Sequence, residues 1–277
     1  MYPTNHVFLL AATVAAATLA TSSIPAAAQT ADRPVLDDGH RLFYNGRYEA
    51  AAALALQSCT APPLDLNACE LATSALHFQI RKALDTSGKQ KPWKECAECP
   101  ALLASFLAVT ARGQAAARAA LGADPKDDAT LFLLGKLDLN YVWLQLGTLG
   151  KKTGWKEYWE ARRLLDDLIK RRPDMIRARV ARAWIDHIVD TRMPRGTRWL
   201  LGGGNKKRGL RVVREAADAP ADFFVATEAT FALWDMQVRE RQFPDAVATA
   251  RRLATDFPDN EELTKFLARH DGEARRR

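Results

Sequence analysis

Four times along the 277-residue chain a small residue stands twelve positions before a proline: Ala51 and Pro63, Gly113 and Pro125, Ala161 and Pro173, Ala246 and Pro258. An aromatic precedes three of the small residues by three positions, at Tyr48, Tyr158 and Phe243. A small residue early in a helix lets a neighbouring helix approach closely, and a proline just beyond a helix prevents its continuation. Recurrence of such units at intervals of several tens of residues is the pattern of stacked helical repeats. Proteins built this way mostly bind other molecules, so the spacing constrains the architecture far more than the ligand.

The rest of the chain agrees with an all-α reading. Ala, Leu, Arg, Lys and Glu dominate, and no segment alternates in the manner of a strand. Five helix pairs are expected, each with a first helix A and a second helix B. They fall at about 36–58, 66–85 with 101–121, 127–146 with 157–171, 175–190 with 205–217, and 222–241 with 244–255; a capping helix follows at about 261–269. Pro62-Pro63, Asp124-Pro125, Pro173-Asp174, Ala219-Pro220 and Pro258-Asp259 each follow a B helix. Asp127, Asp174 and Asp259 stand where a side-chain oxygen caps the next helix.

This spacing resembles the tetratricopeptide repeat, best in Tyr48-Glu49-Ala50-Ala51, Tyr158-Trp159-Glu160-Ala161 and Phe243-Pro244-Asp245-Ala246. Gly39 and Gly135 correspond to the small residue of that family's A helix, while Thr110, Asn205, Arg208 and Trp234 depart from its pattern. The resemblance implies an all-α, right-handed superhelix of about five helix pairs plus a capping helix, spanning 36–270. It also implies a concave face, lined by A helices, that binds proteins, peptides or other ligands.

Residues 1–28 read as a signal peptide. Positions 7–19 are almost wholly apolar, too short a run to cross a bilayer, and Ala26-Ala27-Ala28 offers a cleavage site. A linker at 29–35 and a basic tail at 271–277 flank the repeats, leaving a mature chain expected to be exported to the periplasm or beyond and to be soluble. Its formal charge of +7 is modest for its length. Outside the cytoplasm such a chain meets acidic headgroups, anionic glycans or acidic proteins rather than nucleic acid. Four cysteines within about forty residues read as two disulfides. Cys59 and Cys69 flank the turn between the first two pairs, whereas Cys96 and Cys99 lie at the far end of the intervening helix, roughly 25 Å away at about 1.5 Å per residue. Local pairs, Cys59–Cys69 and Cys96–Cys99, are therefore expected.

Functional information concentrates in three long A–B loops, at 86–99, 147–156 and 191–207. Equivalent loops of adjacent repeats line up on one edge. Each carries a tryptophan among cations: Trp93 beside Lys91 and Lys94; Trp155 beside Lys151, Lys152 and Lys156; Trp199 beside Arg195, Arg198, Lys206 and Lys207. Trp93, Lys151, Lys152, Trp155, Arg195, Arg198, Trp199, Lys206 and Lys207 thus form a candidate rim for an anionic, partly apolar partner. A plainer reading has each tryptophan pinning its own loop while the cations solvate it. Gly202-Gly203-Gly204-Asn205-Lys206-Lys207 lacks the Gly-Lys-Ser/Thr ending of a P-loop and reads as a flexible connector. Trp143, Tyr141, Trp184, Phe231 and Trp234 lie on A helices and are read mainly as core.

No catalytic arrangement, cofactor motif or metal spacing stands out. Cys96-Ala97-Glu98-Cys99-Pro100 lacks the histidine of a haem site and the βαβ setting of a thioredoxin site. His187 adjoins Asp186, and adjacent helix positions do not face one another; with Asp190 further along, it reads as a structural or surface histidine. The sequence therefore points to a non-catalytic envelope protein that binds or scaffolds a protein or peptide partner through its groove and rim. One alternative is a small-molecule or lipid-binding accessory of an envelope transport system. A third is a thiol–disulfide protein using Cys96 and Cys99. Peripheral contact with a membrane is compatible with all three, and the oligomeric state is not encoded in any of these features.

Overall fold

The computed structural model describes residues 33–86 and 89–274. The signal segment, most of the linker and the last three residues of the basic tail lie outside the described residues. Eleven α-helices follow in order: α1 (Arg33–Tyr44), α2 (Tyr48–Thr60), α3 (Leu66–Leu84), α4 (Cys99–Ala123), α5 (Asp128–Val142), α6 (Trp155–Arg171), α7 (Ile176–Arg192), α8 (Lys206–Ala217), α9 (Phe223–Arg239), α10 (Phe243–Asp256) and α11 (Glu261–Ala274).

Several starts are set by side-chain caps. The Asp65 carboxylate accepts from the Asn67 and Ala68 amides at 2.7 and 3.4 Å ahead of α3. Asp127 does the same for Ala129 at 3.1 Å, Asn205 for Arg208 at 2.9 Å and Asp222 for Val225 at 3.0 Å. Each cap contributes about 1 kcal/mol by satisfying an otherwise orphaned N–H.

Helices neighbouring in sequence pack on one another, and α1, α3 and α5, like α7 and α9, also touch in alternation. The small residues of the repeated spacing sit at these contacts. Ala51, Ala161 and Ala246 are fully buried. At Gly113 an added Cβ would come within 2.9 Å of Leu137 and 3.2 Å of the Cys69 Cβ, so the α3–α4–α5 junction tolerates nothing larger without shifting.

The two ends of the helical array meet. Asn260 Nδ2 donates to the Tyr44 carbonyl at 2.7 Å, and the Asp259 amide donates to Asn45 Oδ1 at 3.2 Å. The Tyr44 ring lies 5.0 Å from Phe231 and 5.5 Å from Phe257, and His40 lies 5.1 Å from Phe224. The inner helices α1, α3, α5, α7 and α9 all contribute side chains to one central cavity.

Both disulfides join the expected local pairs, Cys59–Cys69 with Cα atoms 4.8 Å apart and Cys96–Cys99 at 5.4 Å. The three long connections hold more structure than loops. The first contains a two-residue antiparallel ladder, Asp85–Thr86 with Lys89–Gln90, and a 3₁₀ turn at Trp93–Glu95. The second starts as a π-helical turn, Trp143–Thr148, and ends with Trp155 already in the first turn of α6. The third is a 3₁₀ helix, Arg195–Leu201, followed by glycines. No helix among the described residues is long and apolar enough to cross a membrane.

Asn260 both closes the array and caps α11, its Oδ1 accepting from the Leu263 amide at 3.1 Å. Asn260→Ala is expected to lower stability by about 1–3 kcal/mol, the cost of a lost cap plus an unsatisfied buried carbonyl. Urea denaturation measures it; an unchanged midpoint would mean that this contact does not hold the ends together.

Candidate functional site

A cavity of ≈ 850 Å³ runs along the inner helices and is organised in three layers. At one end stands a ring of four alternating charges, one from each of α3, α5, α7 and α9. Glu70 lies 3.6 Å from the Lys136 ammonium and 3.2 Å from the Arg177 guanidinium. Glu228 lies 2.8 Å from Lys136 and 2.5 Å from Arg177. Burial pushes the Glu228 carboxyl up, but Arg177 and Lys136 outweigh it and hold the carboxyl well below the usual range. Glu70 is lowered by the same cations against the same opposing burial. Lys136 and Arg177 are both raised: burial disfavours their charge, and the two carboxylates more than offset it. Each charge has two opposite neighbours, so the ring lines this part of the cavity with its charges mutually compensated. Asn140 Nδ2, donating to Thr73 Oγ1 at 2.9 Å and to Ser74 Oγ at 3.0 Å, ties α3 to α5 just beyond it.

About two helical turns further along each helix comes an aromatic layer. Phe78 follows Glu70, Trp143 follows Lys136, Trp184 follows Arg177 and Trp234 follows Glu228 at this spacing, while Phe231 stands only three residues beyond Glu228; all five line the cavity. At 1.5 Å per residue this layer sits roughly 10 Å from the floor. His77, buried here, has its pKa depressed to about 3 by burial, then by nearby Arg81, and its Nε2 lies 2.9 Å from Thr148 Oγ1. The cavity wall therefore presents a neutral imidazole at ordinary pH. Trp143, Trp184, Phe231 and Trp234 pack on core clusters, as the sequence reading expects, and each also lends a face to the cavity wall. Tyr141 packs on a core cluster as well.

The third layer is the mouth, at the C-terminal ends of the inner helices. Arg81, Lys151, Lys152, Arg192 and Arg239 line it against two carboxylates, Asp235 and Glu262. Arg239 pairs with Asp235 at 2.9 Å, and Arg81 lies 4.9 Å over the Phe78 ring. Lys151, Lys152 and Arg192 are exposed and make no ion pair among the described residues.

The long connections meet around this mouth. Trp93 and Lys151 share the wall of a side cavity of ≈ 520 Å³, which joins the first connection to the second. Tyr158 Oη donates to the Leu201 carbonyl at 2.8 Å, and Arg162 donates to the carbonyls of Leu201 and Gly202 at 3.0 and 2.7 Å, which joins the third connection to α6.

The predicted rim residues divide accordingly. Trp93 is half-buried against the first core cluster. Trp155 is 41 % exposed at the mouth and Trp199 73 % exposed on the 3₁₀ helix. Lys207 is exposed. Arg198 is engaged internally, pairing with Asp190 and donating to the Met193 carbonyl at 3.1 Å. Lys206 is likewise engaged, its ammonium 2.5 Å from Glu240. Arg195 opens the 3₁₀ helix, and its side chain is outside the described set. Both cysteine pairs of the expected disulfide framework, Cys59 with Cys69 and Cys96 with Cys99, are buried. His187 is buried, with Nε2 3.1 Å from Glu240, a packing role. Among the described residues no group of three or more ligands could hold a metal ion.

Sequence reasoning missed the floor. Its trace was a lone charge inside an apolar stretch: Glu70 within Ala-Cys-Glu-Leu-Ala and Lys136 within Leu-Leu-Gly-Lys-Leu. No protein-family model, curated protein or solved structure matches the chain.

Glu228→Gln removes one member of a largely buried ring and is expected to cost about 1–3 kcal/mol at neutral pH, below the figure for a fully buried pair because the ring keeps some contact with water. The sign with pH follows from its lowered folded pKa. The ring's contribution is complete above the ordinary value of 4.5 and is lost as pH falls below it, because the unfolded chain takes up the proton first. Urea unfolding at pH 7 and near pH 3 should therefore show the difference between wild type and variant shrinking in acid; a constant difference would contradict the electrostatic origin.

Proposed function

We propose that this chain is a non-catalytic, exported binding protein that holds one small amphipathic molecule in its central cavity. The observation that carries the reading is the layering: a charge-saturated floor, an aromatic shaft, and a mouth with five cations against two carboxylates. The volume of ≈ 850 Å³ lies within the span of small-molecule sites, about 300–1,000 Å³. The apolar part of the ligand lies among Phe78, Trp143, Trp184 and Trp234, where area removed from water drives binding. Its polar end is anionic and stays at the mouth near Lys151, Lys152 and Arg192. A tetratricopeptide-like origin of the helix pairs, a cleaved signal at 1–28 and residence in the cell envelope belong to this reading. Contact between the first and last helix pairs weighs against threading an extended peptide through the inner face, which leaves the exposed rim as the place for a macromolecular partner.

Titration of the mature protein with a fluorescent fatty carboxylate tests the proposal. Saturable binding at one molecule per chain is expected. Ile188 lines the shaft, so Ile188→Trp should fill it and weaken binding at least tenfold. Lys151→Glu with Lys152→Glu should weaken the carboxylate more than the corresponding uncharged alcohol. Absence of saturable binding, or indifference to Ile188→Trp, would overturn the proposal.

A further inference from the structure

Of the six large hydrophobic side chains found exposed among the described residues, four lie on or beside the rim: Trp155, Trp159, Trp199 and Leu200. Trp155 and Trp159 are one turn apart on α6, on either side of Tyr158. The Tyr158 hydroxyl holds the Leu201 carbonyl, so the 3₁₀ segment bearing Trp199 and Leu200 is fastened to that same turn. The fastening is close: Gly202 has φ +73°, and a Cβ there would lie 2.8 Å from the Arg162 guanidinium. An apolar pair, Trp199-Leu200, is thus presented outward by a braced segment rather than by a loose loop.

The same connections and the helix ends beside them carry exposed cations. Lys151, Lys152, Lys156, Arg192 and Lys207 are exposed and have no ion-pair partner among the described residues. By contrast, the neighbouring Arg198 and Lys206 are neutralised by Asp190 and Glu240. The edge therefore combines protruding tryptophans with uncompensated positive charge.

Tryptophan alone would suit a protein partner, but lysine is depleted at protein–protein interfaces. Tryptophan together with lysine and arginine is instead the composition of the water–bilayer boundary, where the indole sits at headgroup depth and the cations meet anionic lipid. We propose that this edge docks the protein on an anionic lipid bilayer. Trp199 and Leu200 insert at the headgroup level, Trp155 and Trp159 lie along the interface, and Lys151, Lys152, Lys156, Arg192 and Lys207 face the phosphates. Because Trp155, Lys151, Lys152, Arg192 and Leu201 also line the cavity mouth, docking in this pose turns the mouth toward the membrane. Docking does not depend on a ligand in the cavity, so its test is separate from the titration above.

Flotation of the full mature chain with vesicles decides the matter. Vesicles containing about one-third phosphatidylglycerol in phosphatidylcholine should carry the protein at low salt, with a blue shift of tryptophan emission, and vesicles of phosphatidylcholine alone should carry little. Trp199→Ala should weaken binding several-fold, and its 73 % exposure keeps the fold out of the comparison. Lys152→Glu and Lys207→Glu should each weaken it by at least about fivefold, the worth of one basic residue near a charged membrane. Lys126→Glu, an exposed lysine between α4 and α5 and far from the rim, should lose markedly less. Equal flotation on neutral and anionic vesicles, no flotation on either, or equal damage from Lys126→Glu would overturn the proposal; an acidic protein partner would give the second of these results.

Discussion

Everything in the inner architecture depends on four charges that would be ruinous alone. Glu70, Lys136, Arg177 and Glu228 come from positions far apart in the chain and from four different helices. Glu70 is buried and the other three are largely withdrawn from water, at a cost that their mutual proximity offsets. Apolar packing between helix faces is forgiving of small rotations, whereas a salt-bridged ring is satisfied in one relative placement of its four helices. The ring therefore fixes the register among α3, α5, α7 and α9, and the aromatic layer two turns away inherits that register.

The repeated spacing made the helical composition legible, since small residues and terminating prolines act locally. The cap at Asp127 and the two disulfides were readable for the same reason, each depending on a few adjacent residues, whereas the caps expected at Asp174 and Asp259 are absent, Asn260 serving the last helix instead. Closure was not readable. It rests on Tyr44 meeting Phe231, Phe257 and Asn260, contacts whose partners lie some two hundred residues away and carry no pattern of their own. The core packing of Trp143, Trp184 and Trp234 was legible, but the cavity that their other faces line was not. An aromatic on an inner helix looks the same in sequence whether it only packs against a neighbour or also faces a cavity.

The rim shows the opposite balance. Sequence reasoning expects its three tryptophans on one edge; in the structure Lys151 lines a side cavity with Trp93 and the central cavity with Trp155 and Leu201. What sequence could not do was separate cations that serve the fold from those facing solvent. Arg198 and Lys206 look no different from Lys151 and Lys152 along the chain. Only the positions of Asp190 and Glu240 in space distinguish them.

Contact between the first and last helix pairs also changes how such a chain can vary. In an open stack each unit touches only its neighbours, so units can be added or removed at little cost, and the ends fray before the middle. Once Asn260 reaches Tyr44, the number of pairs is set by the circumference they complete. Losing a pair that carries Glu70, Lys136, Arg177 or Glu228 would also leave the charge ring without a member. Inserting length in the outer connections disturbs neither, which makes those connections the part of the molecule where change is cheapest and the cavity the part where it is most constrained.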